Sequence, residues 1–336
     1  MKAQLLHPAH DDLLVVNSAR VSFAKKSNWL PDVTGEPVLS ERDQKLMGFL
    51  ARNGHWTPYA HPQMWVQMAL SDAEAVAWLL KRGVGFQTLQ TSPGEYMVKG
   101  SLYAWVRNLR QGLLPEDVDA GVRDMLWESF PYACDAYGIE EPEAQGDRVR
   151  LIRPDQITDA WMAKDPERAV LSSACFLIDV PFFVARQLGK HQDGFVQNEV
   201  SRRYVTDDPT FWEPDEWRAQ SQDKKQGSDG VVTPATQTWA TGALREANAY
   251  ALEDYQAAVE KGIAAEQARA WLTMAAHTQW YWTASLNDYA RLCAERLAGN
   301  AQQETREPAQ MIAAQLMAQY PKTWSALMLN KLPEAA

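Results

Sequence analysis

From Cys175 to Ala185 the chain runs through Cys175-Phe176-Leu177-Ile178-Asp179-Val180-Pro181-Phe182-Phe183-Val184-Ala185, and then turns abruptly polar. The polar run is Arg186-Gln187-Leu188-Gly189-Lys190-His191-Gln192, continuing through Asp193-Gly194-Phe195-Val196-Gln197 into Asn198-Glu199-Val200-Ser201-Arg202-Arg203-Tyr204. An apolar run of that kind has to be buried, as a strand or a helix, and it delivers the polar residues after it to the edge of a core or a cleft. If Asn198 to Tyr204 is extended, the period of two puts Glu199, Ser201 and Arg203 on one face. A carboxylate, a hydroxyl and a guanidinium meeting there can hold a sugar and a phosphate. The same charges also read as a solvated helix end with ordinary ion pairs.

The segments before this run supply further polar groups. Leu13 to Phe23 reads as a short apolar element followed by a polar turn. Ser40-Glu41-Arg42-Asp43 opens a helix with Ser40 as N-cap and Leu46, Met47, Phe49 and Leu50 as its stripe. Gly54 closes it and leaves His55-Trp56-Thr57-Pro58 on a loop, where Thr57, preceding a proline, is expected to be extended with its hydroxyl free. Residues 62–173 read as a mainly helical insertion, with helices at Asp72–Lys81 and Ser101–Leu114, a turn-rich stretch at Gln87–Gly94 and a closing turn at Gln145-Gly146-Asp147. Within it, Tyr96 to Trp105 echoes Ser285-Leu286-Asn287-Asp288-Tyr289, as a decayed internal copy or as two similar amphipathic helices.

Behind the polar run, Thr206 to Gly230 reads as a loop or lid, and from Pro234 the pattern is helical, over 236–260, 264–278, 284–298 and 301–319. On the helix near Ser285, Leu286, Tyr289, Ala290, Cys293 and Leu297 form the stripe, and Arg296 lies at its margin. A guanidinium there needs a carboxylate or a ligand to offset its desolvation. Gly299 ends that helix and Asn300 is placed to cap the next.

Composition narrows the function classes. A net charge of −10 disfavours a nucleic acid as the main partner, because such binding rests on neutralising phosphates. No apolar run approaches the ~20 residues that span a bilayer, and the first residues lack the apolar core of a signal peptide, so the chain reads as cytoplasmic. Cys134, Cys175 and Cys293 are scattered, which suggests neither disulfides nor a metal cluster; the helical pattern around Cys293 and the strand pattern around Cys175 suit buried thiols.

Three stretches together resemble the flavin-dependent thymidylate synthases. Lys190-His191-Gln192 followed by Asn198-Glu199-Val200-Ser201-Arg202-Arg203 is similar to that family's Arg-His-Arg, spacer, Asn-Glu-x-Ser-x-Arg signature. His55-Trp56-Thr57-Pro58-Tyr59-Ala60-His61 is similar to its His-x-Ser/Thr-Pro-Phe-Glu-His, and Arg296 through Ala301-Gln302-Gln303-Glu304-Thr305-Arg306 to its Arg-x-x-x-x-Ala-Gln-x-Glu-Ile-Arg. Lys190 and Gln192 replace the two arginines, one keeping a charge without the bidentate fork and the other losing the charge, and Ala60 replaces the Glu.

The resemblance implies an α+β fold, a sheet packed with helices and a mostly helical C-terminal part. It assigns residues 1–61 and 174–336 to the catalytic domain. It implies reductive methylation of dUMP to dTMP with bound FAD, and with 5,10-methylenetetrahydrofolate and NADPH as co-substrates, in a homotetramer whose sites are shared between subunits. Arg296 falls on the catalytic arginine that stabilises charge on the pyrimidine; Gln187, Lys190, Glu199, Val200, Ser201, Arg202, Arg203 and Arg269 fall on substrate contacts. Thr57, Lys190, His191, Gln192, Glu199, Ser285, Leu286, Asn287 and Arg291 fall on flavin contacts, and no metal is implied. The rivals are a flavin-dependent hydroxymethylation of a pyrimidine nucleotide and a nucleotide-binding homologue without turnover.

Overall fold

The computed structural model describes residues 1–6, 10–142, 148–221 and 227–329. The turn expected at Gln145-Gly146-Asp147 and part of the Thr206–Gly230 loop lie outside them. The fold is α+β, with two four-stranded antiparallel sheets and two main hydrophobic cores; the second sheet has a core of its own and also sends Trp65 and Ile152 into that of the first.

The central sheet runs Lys2–Leu6, Ala174–Pro181, His277–Ala284, Val196–Glu199 across its width. Its two inner strands pair over their whole length, from His277 opposite Pro181 to Ala284 opposite Ala174. Phe176, Ile178 and Val180 alternate into the core with Trp280 and Trp282, all at most 1% exposed. Helices Phe182–Leu188, Leu286–Arg296, Gln303–Gln319 and Pro321–Leu329 supply the rest of that core through Val184, Leu188, Tyr289, Leu292, Ile312, Leu316 and Trp324.

The second sheet runs Phe86–Ser92, Glu95–Ser101, Gln63–Ala69, Val149–Ile152. Helices Asp12–Arg20, Glu41–Arg52, Asp72–Lys81, Leu102–Arg110, Glu116–Ser129 and Pro131–Tyr137 accompany it, and its core gathers Val16, Met47, Val66, Met68, Trp78, Val98, Trp105 and Leu126.

Several sequence expectations change here. Beside its helices, the stretch 62–173 also contains all four strands of the second sheet, which the sequence pattern did not show. Gln63–Ala69 is buried at nearly every position, so no alternation betrays it, and the turn-rich stretch is the polar edge strand Phe86–Ser92. The helix expected over 264–278 is a single turn, Ala265–Ala268, a 3-10 turn at Arg269–Trp271 and then the strand His277–Ala284, whose continuous burial hides its period. The strand of the signature stops at Glu199, and the Ser201 carbonyl accepts from the N–H groups of Tyr204 and Val205 in a turn, so Glu199, Ser201 and Arg203 share no extended face. Thr57 is not extended but opens the 3-10 turn Thr57–Ala60, where the fixed φ of Pro58 suits a first helical position. Gln302, not Asn300, precedes the helix Gln303–Gln319.

The expected Asp72–Lys81 helix stands, as does the Ser40 cap, which accepts from the Asp43 N–H at 3.2 Å. The long helix expected over 236–260 is Pro234–Glu260. Among the described residues no helix is long and apolar enough to cross a membrane.

Candidate active site

The buried strand Ala174–Pro181 ends at Pro181, whose extended backbone starts the helix Phe182–Leu188. That short helix carries Gln187 on a half-buried face and leads into the loop of Lys190, His191 and Gln192. Opposite it lies the last turn of Leu286–Arg296, begun by Ser285, which accepts the Asp288 N–H at 3.2 Å and donates its hydroxyl to the Asp288 carboxylate at 2.6 Å. The two helix ends bring Arg296 against the loop. Its Nε donates to His191 Nε2 at 2.9 Å and its outer nitrogen to the Gln187 carbonyl at 3.2 Å.

This contact settles the state of His191. A nitrogen that accepts from a guanidinium carries no proton, so His191 is neutral with its hydrogen on Nδ1. Burial, and after it the Arg296 and Arg291 charges, hold its pKa below the usual histidine value, while Glu295 at 3.7 Å opposes them. Arg296 forms no ion pair with a carboxylate among the described residues. It is held in place by a neutral ring and a carbonyl, and its charge is left for whatever enters beside it.

Beside it lies a cavity of about 1240 Å³, walled by Phe183, Gln187, Trp212, Trp217, Arg296 and Gln302. A single small ligand occupies roughly 300–1,000 Å³, so the space suits two ligands in contact. Indole and phenyl faces next to the Arg296 guanidinium fit flat aromatic rings carrying negative charge; of the residues expected at the site, Gln187 and Arg296 line this cavity and those expected at the flavin do not. Gln187 and Gln302 are hydrogen-bonded to each other across the wall, and Arg218, also at the wall, is committed to Glu304 at 2.5 Å. Trp212 and Trp217 lie in the segment read from sequence only as a polar loop. Two tryptophans in so polar a stretch were the available signal.

The other expected residues divide into groups. Arg291 pins the loop, donating to the Asp193 carbonyl at 2.5 Å and pairing with Asp288 at 3.2 Å, while Lys190 and Gln192 stand exposed on that loop. Asn287 is partly exposed at the start of its helix, whereas the Leu286 side chain is wholly buried in the core and Ser285 is occupied as a cap.

Glu199 lies at the strand end, accepting from Thr278 Oγ1 at 2.6 Å. Burial raises its carboxyl pKa, against the Thr278 bond and the Arg269 charge. Val200 packs on the small cluster of Leu14, Cys175 and Tyr281. Arg202 is buried and braces its own turn through the Asp207 carbonyl. Arg203 and Arg269 are exposed and Ser201 is half-buried: Arg203 Nε reaches Ser201 Oγ at 3.3 Å and its guanidinium lies 5.1 Å from the Tyr204 ring. None of Glu199, Ser201, Arg203 and Arg269 lines the cavity.

The motif around Thr57 reaches the signature through His61. This ring is fully buried, 2.7 Å from Thr283 Oγ1 and 3.2 Å from Asn198 Oδ1. Burial lowers its pKa to about 4, so it is neutral. Ser22, which the sequence placed only in a polar turn, donates to the Glu199 carbonyl at 3.0 Å, and its own carbonyl accepts the Ser201 N–H at 3.0 Å.

No thiol is offered to a substrate. Cys134, Cys175 and Cys293 are at most 4% exposed, and burial raises all three, the first two to about 12.

Known proteins share this sequence pattern. The family described as thymidylate synthase complementing protein matches residues 133–322. A flavin-dependent thymidylate synthase of Thermus thermophilus is 36% identical over 183 residues, 54% of this chain and 66% of the relative, so the chain spans just under two thirds of that relative's length. One of Anaplasma marginale is 36% identical over 199 residues, 56% of this chain and 68% of the relative. One of Aquifex aeolicus is 27% identical over 328 residues, 90% of this chain and 92% of the relative. A solved UMP/dUMP methylase, PolB of Streptomyces cacaoi, bound with 5-Br dUMP, covers 98% of this chain and 94% of its own at 19% identity and a TM-score of 0.44, a likeness too distant to bear on function.

Proposed function

The chain belongs to the thymidylate synthase complementing protein family, and from that premise we propose that it makes dTMP by reductive methylation of dUMP, with bound FAD and with 5,10-methylenetetrahydrofolate and NADPH as co-substrates. The observation that carries this reading is Arg296, fixed by neutral His191 and the Gln187 carbonyl at the wall of an aromatic-lined cavity. The flavin supplies hydride chemistry when bound; this chain orients the ligands and compensates charge.

Arg296 does the second of these. A cation held by partners that do not neutralise it favours the negative charge that develops on a pyrimidine ring, and it needs no reorganisation to do so. Gln187 faces the same space and holds a neutral ring by its amide. His191, Asn287, Arg291 and Thr57 would hold the flavin, with Lys190 and Gln192 at the loop's exposed rim. Ser201, Arg203, Glu199 and Arg269 would hold nucleotide from a neighbouring molecule. Their position away from the cavity supports a site completed by a second chain, as in the shared-site homotetramer that the family resemblance implies. The three buried cysteines support a route without a thiolate nucleophile.

The test is reconstitution with FAD, then assay of dTMP formed from dUMP, methylenetetrahydrofolate and NADPH. A yellow protein with turnover is expected. A protein that takes up no flavin and forms no dTMP overturns the reading, and a product heavier than dTMP by one oxygen would replace methylation with hydroxymethylation.

A further inference from the structure

The two sheets are built alike. Each has a first inner strand that feeds a helix, an edge strand, a second inner strand that ends on a helix-capping serine, and a fourth strand on the far edge. Ser101 caps Leu102–Arg110 through the Ala104 N–H, and Ser285 caps Leu286–Arg296 through the Asp288 N–H. With these serines matched, the strand pairings match every other position. Gly100 pairs with Met64 and Ala284 with Ala174, so Met64 matches Ala174. Counting on from there, Ser71 matches Pro181, and each is the residue that starts the next helix.

Details that the pairing does not dictate agree as well. The edge strands enter through Phe86 and Phe195, which lie edge-on to matched rings: Phe86 to Trp105 at 4.8 Å and 83°, Phe195 to Tyr289 at 5.2 Å and 88°. The residue before each phenylalanine is a glycine of positive φ, Gly85 at 97° and Gly194 at 81°. A Cβ on either would strike the matched helix position, Ala104 in one case and Asp288 in the other.

The helix pairs that come next meet at Phe130 (φ −143°, ψ 56°) and Tyr320 (φ −132°, ψ 59°), each before a proline. Asp12 accepts from the N–H groups of Tyr132 and Ala133, and Asp159 from those of Lys322 and Thr323. The edge strands are exchanged. Lys2–Leu6, which leads into the first unit, pairs with Ala174–Pro181 of the second, and Val149–Ile152, which leads into the second, pairs with Gln63–Ala69 of the first. Reciprocal exchange is the mark of a twofold relation between like units.

We propose that the chain is two copies of one unit in tandem, and that the front copy, residues 1–142, has lost its own chemistry and serves as a resident partner subunit for the rear copy, residues 148–329. The losses are complementary. At the matched position of Arg296 the front copy has Gly112. Where residues 200–276 connect the rear strands, the front copy has the tight turn between Ser92 and Glu95. The rear copy keeps a short lead-in from Ile152 to Ala174, while the front one, from Leu6 to Gln63, carries Ser22, Thr57 and His61 and presents Ser22 and His61 to the rear signature. One chain therefore holds one set of site residues, and two chains take the place of four in the family assembly. The count of sites rests on the dUMP-methylating reading; the copy relation does not.

The experiment starts with the full chain, without ligand, by light scattering. The expected particle has twice the 37.9 kDa mass of one chain; a particle of one chain or of four overturns the proposal. FAD titration should then saturate at one flavin per chain, and two per chain would overturn the loss of the front site. Joining His61 directly to Ser172, which matches Pro62, removes one copy in register. Soluble particles of four shortened chains support the proposal and soluble particles of one or two refute it; should the shortened chain be insoluble, the full-length mass decides. Absence of flavin uptake and turnover would sink the catalytic reading and leave the mass result standing.

Discussion

The front and rear halves bury ionisable groups to opposite ends. In the front half Lys99 is 3% exposed, donating to the Ser172 carbonyl at 2.6 Å, with burial lowering its pKa to about 7 and Asp288 opposing that shift. His61 is fully buried between Thr283 and Asn198. Both groups join one half to the other, Lys99 through one hydrogen bond and His61 through two. In the rear half Arg296 is only half-buried, braced from behind and open toward a cavity. A polar group buried in a seam must be hydrogen-bonded there, because an unpaired buried group costs about 1–3 kcal/mol. One that does chemistry must be held as firmly and left incomplete.

Breaking this contrast at Arg296 should have the largest effect. Arg296→Ala removes a single fixed cation, a loss of about 3–4 kcal/mol in the transition state, and turnover should fall by two to three orders of magnitude with flavin retained. Arg110→Ala, on the matched but exposed helix end of the front half, should leave turnover within a few-fold. Equal losses in steady-state assays would erase the distinction between the halves.

Acid should open the seam next. His61 has a folded pKa of about 4 against an ordinary 6.5. As pH falls from 6.5 toward 4 the unfolded chain takes up a proton that the folded one refuses, so stability present above pH 6.5 is lost, by roughly 3 kcal/mol for this group. His10, lowered by burial to about 3, adds a loss in the same direction. Asp12, raised by burial to about 7, gains stability over the same range, so the histidine share is read as the difference in urea unfolding at pH 7.5 and 4.5 between the parent and His61→Gln; an unchanged pH dependence in that variant would mean the ring is not the titrating group.

The matched glycines give a smaller effect that sharpens the comparison. Alanine at Gly85 or Gly194 is forced to positive φ against a helix, a cost of about 1–3 kcal/mol. Both variants should melt lower, but only Gly194→Ala should also weaken FAD binding, because its loop is the one pinned by Arg291. Weaker flavin binding in Gly85→Ala would contradict the loss of the front site.

The smallest effect on chemistry is expected from the thiols. Replacing Cys134, Cys175 and Cys293 together by Ala should lower stability through packing, yet leave dTMP formation per bound flavin near the parent value. A thousandfold loss in folded, flavin-loaded protein would place a thiol in the reaction.

Where local chemistry suffices, the structure was legible beforehand. The Ser40 cap, the helix Asp72–Lys81 and the long helix from Pro234 follow from capping and propensity within a few neighbouring residues. The position of Arg296 at the margin of its helix follows from the angle between residues. By itself the sequence determined the family and the buried state of Cys175 and Cys293. It could not determine the strands Gln63–Ala69 and His277–Ala284, whose burial on both faces erases their period. Nor could it place His61 against Asn198 or Ser22 against Glu199, contacts that join residues 137 and 177 positions apart. The echo between Tyr96–Trp105 and Ser285–Tyr289 stood in the sequence as one of two readings. The tertiary structure aligned it through pairing register, glycine conformation and strand exchange, because a fold constrains backbone geometry at positions where side chains are free to diverge.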